Sequence, residues 1–256
     1  MTKPKAVELK KVHIIPDQHI PFHDKKAWEL QLAVIKKRQP DILIIMGDFA
    51  DFYSVTSHQK SPEHRNLLLK DEVKAVGKEL DRLDAMLPKG CRKIFIAGNH
   101  EYRLDRYIES RAQDLFGMVT TEKLFKLKQR NYEYVPYKRH VKVGKVFFTH
   151  DQGKAGNGAH MGAQHKFQGN AVIGHTHRIG FGVAGNAAGE THVGAMFGWG
   201  GDLYAAEYMH LINARVDWAL GFGTGHMKPD GVMFLQPHPI VNYEVCVDGV
   251  LYGAGK

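Results

Sequence analysis

The nine residues from Lys93 to Glu101 read KIFIAGNHE and join a strand pattern directly to a helix pattern. The first five predict a buried strand, because the four residues after Lys93 form a short apolar run that Gly98 ends. Asn99, His100 and Glu101 follow at once, and the apolar spacing from Glu101 to Ala112 predicts a helix. Buried strands that end in polar side chains are typical of α/β proteins, which bind ligands at that edge.

Two similar units precede this stretch. Short apolar runs at Leu9–Ile15 and Ile42–Met46 predict strands, and helical spacing over Ala27–Lys37 predicts a helix between them. Apolar residues at intervals of three and four predict a second helix over Asn66–Leu87, which Pro88-Lys89-Gly90 ends. The alternation of strands and helices predicts an α/β layered core.

The remainder of the chain has a different composition. Of the 27 glycines, 6 precede residue 151 and 21 follow it, which favours strands and tight loops over long helices in the second part. The strands predicted after residue 140 are Val141–Thr149, Asn170–Ile173, Phe181–Val183, Thr191–Ala195, Val232–Leu235 and Tyr243–Val247. A chain of 256 residues suits one large core, and we expect a single domain over residues 1–256.

The overall composition excludes several classes of protein. The chain has 43% apolar residues, 24% charged residues and two cysteines. This composition excludes a disordered chain, a collagen, a coiled coil and a disulfide-stabilised scaffold. The longest aliphatic run, Ile42–Met46, is far below the roughly 20 residues that cross a bilayer, and Met1–Lys11 lacks an apolar signal core. We expect a cytoplasmic protein without a membrane partner. The net charge of +8 arises in residues 1–150, which favours an anionic partner.

Polar side chains follow five of the predicted strands. They are, in chain order, Asp17-Gln18-His19, Gly47-Asp48, Gly98-Asn99-His100-Glu101, Thr149-His150 and Gly174-His175-Thr176-His177. These residues offer imidazole nitrogens, carboxylate oxygens and an amide oxygen, and they include no thiolate. Such ligands suit divalent transition metals. Because side chains two positions apart share a face of an extended segment, each Asp-x-His or His-x-His pair can approach one ion. The pattern predicts a metal site at this edge.

In this order, the five motifs resemble those of the calcineurin-like metallophosphoesterases, over residues 17–177. The chain is most similar to the small, uncapped members of phages and bacteria that are often described as DNA-repair-nuclease-like, which would place a phage-encoded protein in the host cytoplasm. The resemblance implies a four-layer αββα sandwich of two mixed sheets flanked by helices. It also implies two divalent ions, of which we expect Mn²⁺, with Zn²⁺, Fe²⁺, Ni²⁺ and Mg²⁺ as alternatives.

The same resemblance implies the roles of the site residues. Asp17, His19, Asp48 and His177 would hold one ion, and Asp48, Asn99, His150 and His175 the other, with Asp48 as the bridge. A hydroxide held between the ions would attack phosphorus, and His100 would serve as the general acid. Two readings remain open for Glu101: it orients His100, or it stabilises the start of the following helix.

Two departures from the family pattern bear on the substrate. Asp151 stands where many relatives have glycine, and we expect it to accept a hydrogen bond from a metal-ligating imidazole. The Asp-Arg-Gly sequence of phosphoprotein phosphatases is absent, because Phe52 follows Asp51, although Arg103 keeps the GNHExR spacing of some of those enzymes. We expect Arg103, His58 and Arg178 to contact the substrate.

A set of basic residues after His100 can track phosphates or form an ordinary solvated helix face. Its members are Arg103, Arg106, Arg111, Lys123, Lys126, Lys128 and Arg130. The leading hypothesis is a two-metal phosphodiesterase acting on a nucleic acid or nucleotide. The alternatives are a phosphomonoesterase of the protein phosphatase or nucleotidase type and a non-catalytic binding module on the same fold.

Overall fold

The computed structural model of the chain describes residues 7–205 and 217–253. Its helices are α1 (Lys25–Arg38), α2 (Leu69–Met86), α3 (Glu101–Arg111), α4 (Thr121–Leu124) and α5 (Ala159–Phe167). Its strands are β1 (Lys10–Ile15), β2 (Ile42–Ile45), β3 (Arg92–Ile96), β4 (Tyr132–Val135), β5 (Val141–Val143), β6 (Val146–Thr149), β7 (Asn170–Ile173), β8 (Ile179–Gly185), β9 (Thr191–Phe197), β10 (Gly221–Met227), β11 (Met233–Pro239), β12 (Glu244–Val247) and β13 (Val250–Gly253).

Two mixed sheets contain most of these strands. The first has the order β11-β10-β1-β2-β3-β4, with β1 to β4 parallel and β10 antiparallel to β1. The second has the order β5-β6-β7-β9-β8, with β6, β7 and β9 parallel. The register pairs Ile15 with Ile45 and Ile45 with Phe95, so the carboxyl ends of β1, β2 and β3 lie side by side.

Burial on both faces explains the continuous apolar runs of the central strands. In β2, Ile42 and Ile44 pack between the two sheets, whereas Leu43 and Ile45 pack against the helices on the outer side. Trp28 of α1 and Leu80 of α2 belong to that outer layer. On the far side of the second sheet, α5 packs through alanines. The layers therefore run helix, sheet, sheet, helix, and the predicted αββα sandwich is confirmed.

The structure departs from the predicted elements in places where the local sequence is uninformative. The segment predicted as one strand over Val141–Thr149 is a hairpin, because Gly144 adopts a φ of +57° and turns the chain. Strand β10 was not predicted, since its sequence GFGTGHM has a glycine at every second position. A Cβ at Gly223 would lie 2.3 Å from the Phe197 ring, so packing between the sheets requires glycine there.

No helix within residues 7–205 and 217–253 has the length and apolar character needed to cross a bilayer.

Candidate metal centre

The polar groups predicted at five strand ends meet at one place. The ends of β1, β2 and β3 adjoin in the first sheet, and those of β6 and β7 adjoin in the second. The two sheet edges lie so close that a Cβ at Gly174 would be 2.8 Å from Asp17 Oδ1, and one at Gly47 would be 2.5 Å from His150 Nδ1. Glycine at these positions therefore lets donors from both sheets converge.

One group of donors surrounds His19. Its Nε2 lies 3.0 Å from His177 Nε2, and the donor atoms of His19, His177 and Asp48 all lie within 4.8 Å of one another. Asp17 Oδ2 is 3.7 Å from His177 Nε2. Because two imidazole nitrogens that face each other need a shared proton or cation, the arrangement suits a bound divalent ion.

A second group surrounds His150. Its Nε2 lies 2.9 Å from Asn99 Oδ1 and 3.2 Å from Asp48 Oδ2, and His175 completes a cluster with His150 and Asp48. His150 Nδ1 donates to the Met46 carbonyl oxygen at 2.8 Å, which leaves the Nε2 lone pair directed at the cluster when the ring is neutral. Burial opposes ionisation of His150, but the Asp48 carboxylate outweighs it and raises the pKa of His150 to about 10.

Asp48 belongs to both groups. Burial would raise the pKa of its carboxyl, but His150 and His100 outweigh burial and hold that pKa well below its usual range. Its Oδ1 accepts from the His100 backbone N–H at 2.8 Å, which fixes the side chain between the two groups. A carboxylate in this position can contact two cations at once.

Asp17 provides the clearest test of whether these residues fit a metal. Both of its carboxylate oxygens are buried and no hydrogen bond of good geometry reaches either of them, although the His175 backbone N–H lies nearby and lowers the pKa somewhat. Burial outweighs this contact and raises the pKa of Asp17 to about 7. A buried carboxylate with so little hydrogen bonding, facing His150 and His177, suits a nearby cation, so the donor set fits divalent metal ions.

The donors are held by strained backbone. His19, Asp48, His175 and His177 have φ values of +56°, +48°, +67° and +57°, in the left-handed region that residues other than glycine rarely adopt. Such conformations persist only where the surrounding structure fixes them, and they concentrate at functional sites. Gly98 is required for a different reason, because a Cβ there would lie 2.1 Å from Asp48 Oδ1.

Glu101 holds the β2 and β3 ends together. It is 1% exposed and accepts backbone N–H bonds from Asp48 at 2.8 Å, Gly98 at 2.7 Å and Ala50 at 2.9 Å. The prediction that Glu101 orients the His100 ring is wrong, because both carboxylate oxygens are engaged by these amides. Glu101 does lie in the first turn of α3, as the alternative prediction has it, and its stabilising effect on the helix start stays a prediction.

His100 lies beside the donor groups and is held from both ring nitrogens. Nδ1 lies 3.0 Å from the Asp51 carbonyl oxygen and 3.1 Å from its Oδ2, and Nε2 accepts from Arg103 Nη2 at 3.1 Å. Burial lowers the pKa of His100, but the carboxylates of Asp48 and Asp51 outweigh it and raise that pKa above the ordinary value. His100 can therefore carry a proton next to the cluster.

The model of the calcineurin-like phosphoesterase family matches residues 10–179, which include every donor described above. The chain belongs to the calcineurin-like phosphoesterase family. Gene 54 protein of Mycobacterium phage D29 is 28% identical and that of phage L5 is 26% identical, each alignment covering 94% of this chain and 97% of the relative. Among solved structures, a Vps29 single mutant from Entamoeba histolytica matches with 13% identity and a TM-score of 0.46, covering 94% of this chain and 95% of that one.

Asp51 is a residue of this calcineurin-like phosphoesterase site that was not predicted. Its Oδ2 lies 3.1 Å from His19 Nδ1, and its Oδ1 accepts from Arg103 Nη1 at 3.0 Å. Asp51 thus connects a candidate metal donor with the candidate acid. The signal was present, since Asp51 follows Asp48 by three positions, but its partners are 32, 49 and 52 positions away in the sequence.

The other residues predicted around the site lie at different distances from the metal donors and have different partners. Arg178 follows His177 directly and pairs with Asp217 at 2.6 Å. His58 is exposed, and no side-chain contact joins it to the donors among the described residues. The prediction for Asp151 is wrong: its carboxylate accepts from the Tyr137 hydroxyl and the Gly153 backbone N–H, not from a histidine ring.

The predicted basic set does not form one continuous surface. Arg103, Arg106 and Arg111 line a cavity beside the site, whereas Lys126 and Arg130 line a separate cavity. Within that second cavity Arg130 is paired with Asp81 and Asp84. Only the first group remains a candidate for contact with a substrate at the metal centre.

Proposed function

We propose that this protein is a dinuclear metal-dependent phosphodiesterase that acts on a nucleic acid or nucleotide. The family supports hydrolysis of a phosphoester. The observation that carries the proposal is the position of Asp48 between two donor groups, one around His19 and one around His150. The buried oxygens of Asp17 add support, because a nearby cation would stabilise the charged form of this carboxyl.

In this proposal Asp17, His19, Asp48 and His177 would hold the first ion. Asp48, Asn99, His150 and His175 would hold the second. When bound, divalent cations supply Lewis acidity, which activates water and neutralises charge on the phosphoryl oxygens. The tautomer of His150 is fixed by the Met46 carbonyl oxygen, and that of His19 is fixed by Asp51.

His100 is the proposed general acid. Cleavage of a phosphodiester releases an alkoxide, which needs a proton as the P–O bond breaks. With Nδ1–H directed at Asp51, the proton to be transferred would be a second one, bound at Nε2 when the ring is in its imidazolium form. In the structure Nε2 accepts from Arg103 Nη2 at 3.1 Å, so a substrate whose oxygens attract Arg103 would free Nε2 to take up that proton from water and donate it. Arg103 thereby couples binding of the anion to availability of the proton.

A phosphomonoesterase is the second candidate. The specific observation in its favour is the Arg103 guanidinium, which lies beside the site and suits the extra charge of a phosphate monoester. Loss of the Asp-Arg-Gly sequence weighs against a phosphoprotein substrate. A non-catalytic binding module is disfavoured because the sequence retains all seven expected metal donors.

The proposal is tested by comparing hydrolysis of bis(4-nitrophenyl) phosphate with that of 4-nitrophenyl phosphate, with Mn²⁺ and with EDTA. We expect metal-dependent turnover with a higher kcat/KM for the diester. A higher kcat/KM for the monoester would favour the second candidate. Absence of turnover with Mn²⁺, Zn²⁺, Fe²⁺, Ni²⁺ and Mg²⁺, together with an unaltered His100→Ala variant in every assay, would favour a binding module.

A further inference from the structure

Three lysines line a cavity beside the candidate metal centre. The cavity measures about 490 Å³ and has His175, a proposed metal donor, in its wall. Lys138 follows β4, Lys154 belongs to the loop after β6, and Lys166 lies near the end of α5. Three separate segments of the chain therefore place exposed lysines around one space that adjoins the candidate metal centre.

These lysines differ from many other cations of the chain in having no carboxylate partner. Arg38, Arg82, Arg92, Lys93 and Arg130 each pair with an aspartate or glutamate within 3 Å. Lys138, Lys154 and Lys166 have no such ion pair within residues 7–205 and 217–253. Uncompensated charges in a concave surface focus the electrostatic potential and attract anions.

The single carboxylate in the cavity wall does not neutralise the lysines. Asp151 accepts from the Tyr137 hydroxyl with one oxygen and from the Gly153 backbone N–H with the other. Its charge is thus directed into the loop, where it fixes the segment that carries Lys154. The cavity is therefore lined by three ammonium groups and by one carboxylate that is already hydrogen-bonded, so its net charge is positive.

Packing against α5 keeps Lys154 near the cavity. A Cβ at Gly162 would lie 3.1 Å from Lys154 Cδ and 3.6 Å from its Nζ, so the side chain passes over the helix at the position of a glycine. Lys138 Nζ lies 5.6 Å from the centre of the Tyr137 ring. Both contacts restrict where the ammonium groups can go without removing their ability to bind an anion.

We propose that Lys138, Lys154 and Lys166 bind a second phosphate of the substrate, next to the one that is hydrolysed. This inference rests on the proposed function and narrows it to compounds with at least two phosphates. Lysine recognises phosphate as a point charge, which fits a cavity whose cationic side chains are three lysines. The second phosphate belongs either to the next link of a nucleic acid strand or to a nucleotide with two separate phosphates.

Matched chromogenic esters test the inference. Thymidine 5′-(4-nitrophenyl phosphate) carries one phosphate, and its 3′-phosphorylated derivative carries two with the same leaving group. We expect wild type to have about tenfold lower KM for the second ester, and we expect the Lys138→Ala/Lys154→Ala/Lys166→Ala variant to lose that preference. The trinucleotide TpTpT, compared with TpT, distinguishes a strand from a bisphosphorylated nucleotide as the source of the second phosphate.

The control is the Lys25→Ala/Lys36→Ala/Lys37→Ala variant, which removes three exposed charges from α1 on the outer face of the first sheet. It should keep the wild-type preference. A cavity variant that loses activity equally on both thymidine esters, or retains the preference, would overturn the inference.

A binding measurement separates this inference from the proposed function. In EDTA, fluorescence anisotropy of labelled dT10 should show about tenfold weaker binding by the cavity variant, and a salt slope reduced by about 2, while the α1 variant binds like wild type. If wild type hydrolyses neither ester, the proposed function fails, and the anisotropy result alone decides whether the lysines bind phosphate. Equal binding by wild type and the cavity variant would refute that role.

Discussion

Replacing Glu101 with glutamine should damage the metal centre without removing any metal donor. The Glu101 carboxylate accepts three backbone N–H bonds, with Oε2 serving Asp48 and Gly98 and Oε1 serving Ala50. A glutamine can keep the hydrogen bonds from Asp48 and Gly98 only by turning its amide NH₂ toward the Ala50 N–H. The buried Ala50 N–H then loses its acceptor. Hydrogen bonds to charged groups contribute about 1.5–3 kcal/mol, and with the unpaired donor we expect about 2–4 kcal/mol of lost unfolding free energy.

Glu72 provides a matched control. It is fully buried and accepts from the Tyr53 and Ser54 backbone N–H groups at 2.7 and 2.8 Å, and neither bond joins it to a proposed metal donor. Glu72→Gln should lose about 1.5–3 kcal/mol by the same argument. Both free energies are measured by urea denaturation in EDTA at pH 8.5, above the pKa of about 7 to which burial and the Asp48 charge raise Glu101.

Metal affinity distinguishes the two variants. Glu101→Gln should weaken Mn²⁺ binding by about 10-fold or more, because Asp48 and Gly98 lose their shared anchor, whereas Glu72→Gln should leave affinity within about twofold of wild type. Calorimetric titration with Mn²⁺ measures both. Equal affinities for the two variants would refute the role assigned to Glu101, as would a Glu101→Gln protein as stable as wild type.

Three further predictions concern the donors and the acid. His100→Gln should keep its metal content and lose about 10²–10⁴-fold in kcat on a diester with a poor leaving group, and loss of metal instead would contradict the role of general acid. Asp48→Ala should reduce bound metal by elemental analysis, because it removes the shared ligand; two ions per chain would contradict the assignment. Burial raises the pKa of Asp17 to about 7, so the contribution of this carboxyl to the stability of the metal-free protein falls as pH rises from about 4 to about 7, and below about pH 7 a cation must displace the Asp17 proton. The rise in Tm on adding Mn²⁺ should therefore be larger at pH 8 than at pH 6, and equal shifts would contradict it.

The parallel core could be predicted from sequence because each strand is marked locally. Ile42–Ile45 and the last three residues of β3, Ile94–Ile96, are buried on both faces, so each forms an unbroken apolar run that leads to the polar residues of the site. The order of the five family motifs then predicts that the donors from both sheets lie at one edge. These signals require no knowledge of distant contacts.

The features that could not be predicted from the sequence depend on contacts between residues that are far apart in the chain. Asp51 is followed by Phe52 in a left-handed conformation, and only the folded chain brings it to His19 and His100. The amide contacts of Glu101 likewise form only when β2 and β3 are paired. Strand β10 has no clear apolar pattern, because it contains glycines at positions such as Gly223, where a side chain would collide with the Phe197 ring.

The most direct test of the central claim is anomalous diffraction from crystals grown with Mn²⁺. We predict two peaks about 3.5–4 Å apart, one contacted by Asp17, His19 and His177, the other by Asn99, His150 and His175, with Asp48 contacting both. A single peak, or a second peak that Asp48 does not contact, would contradict the account.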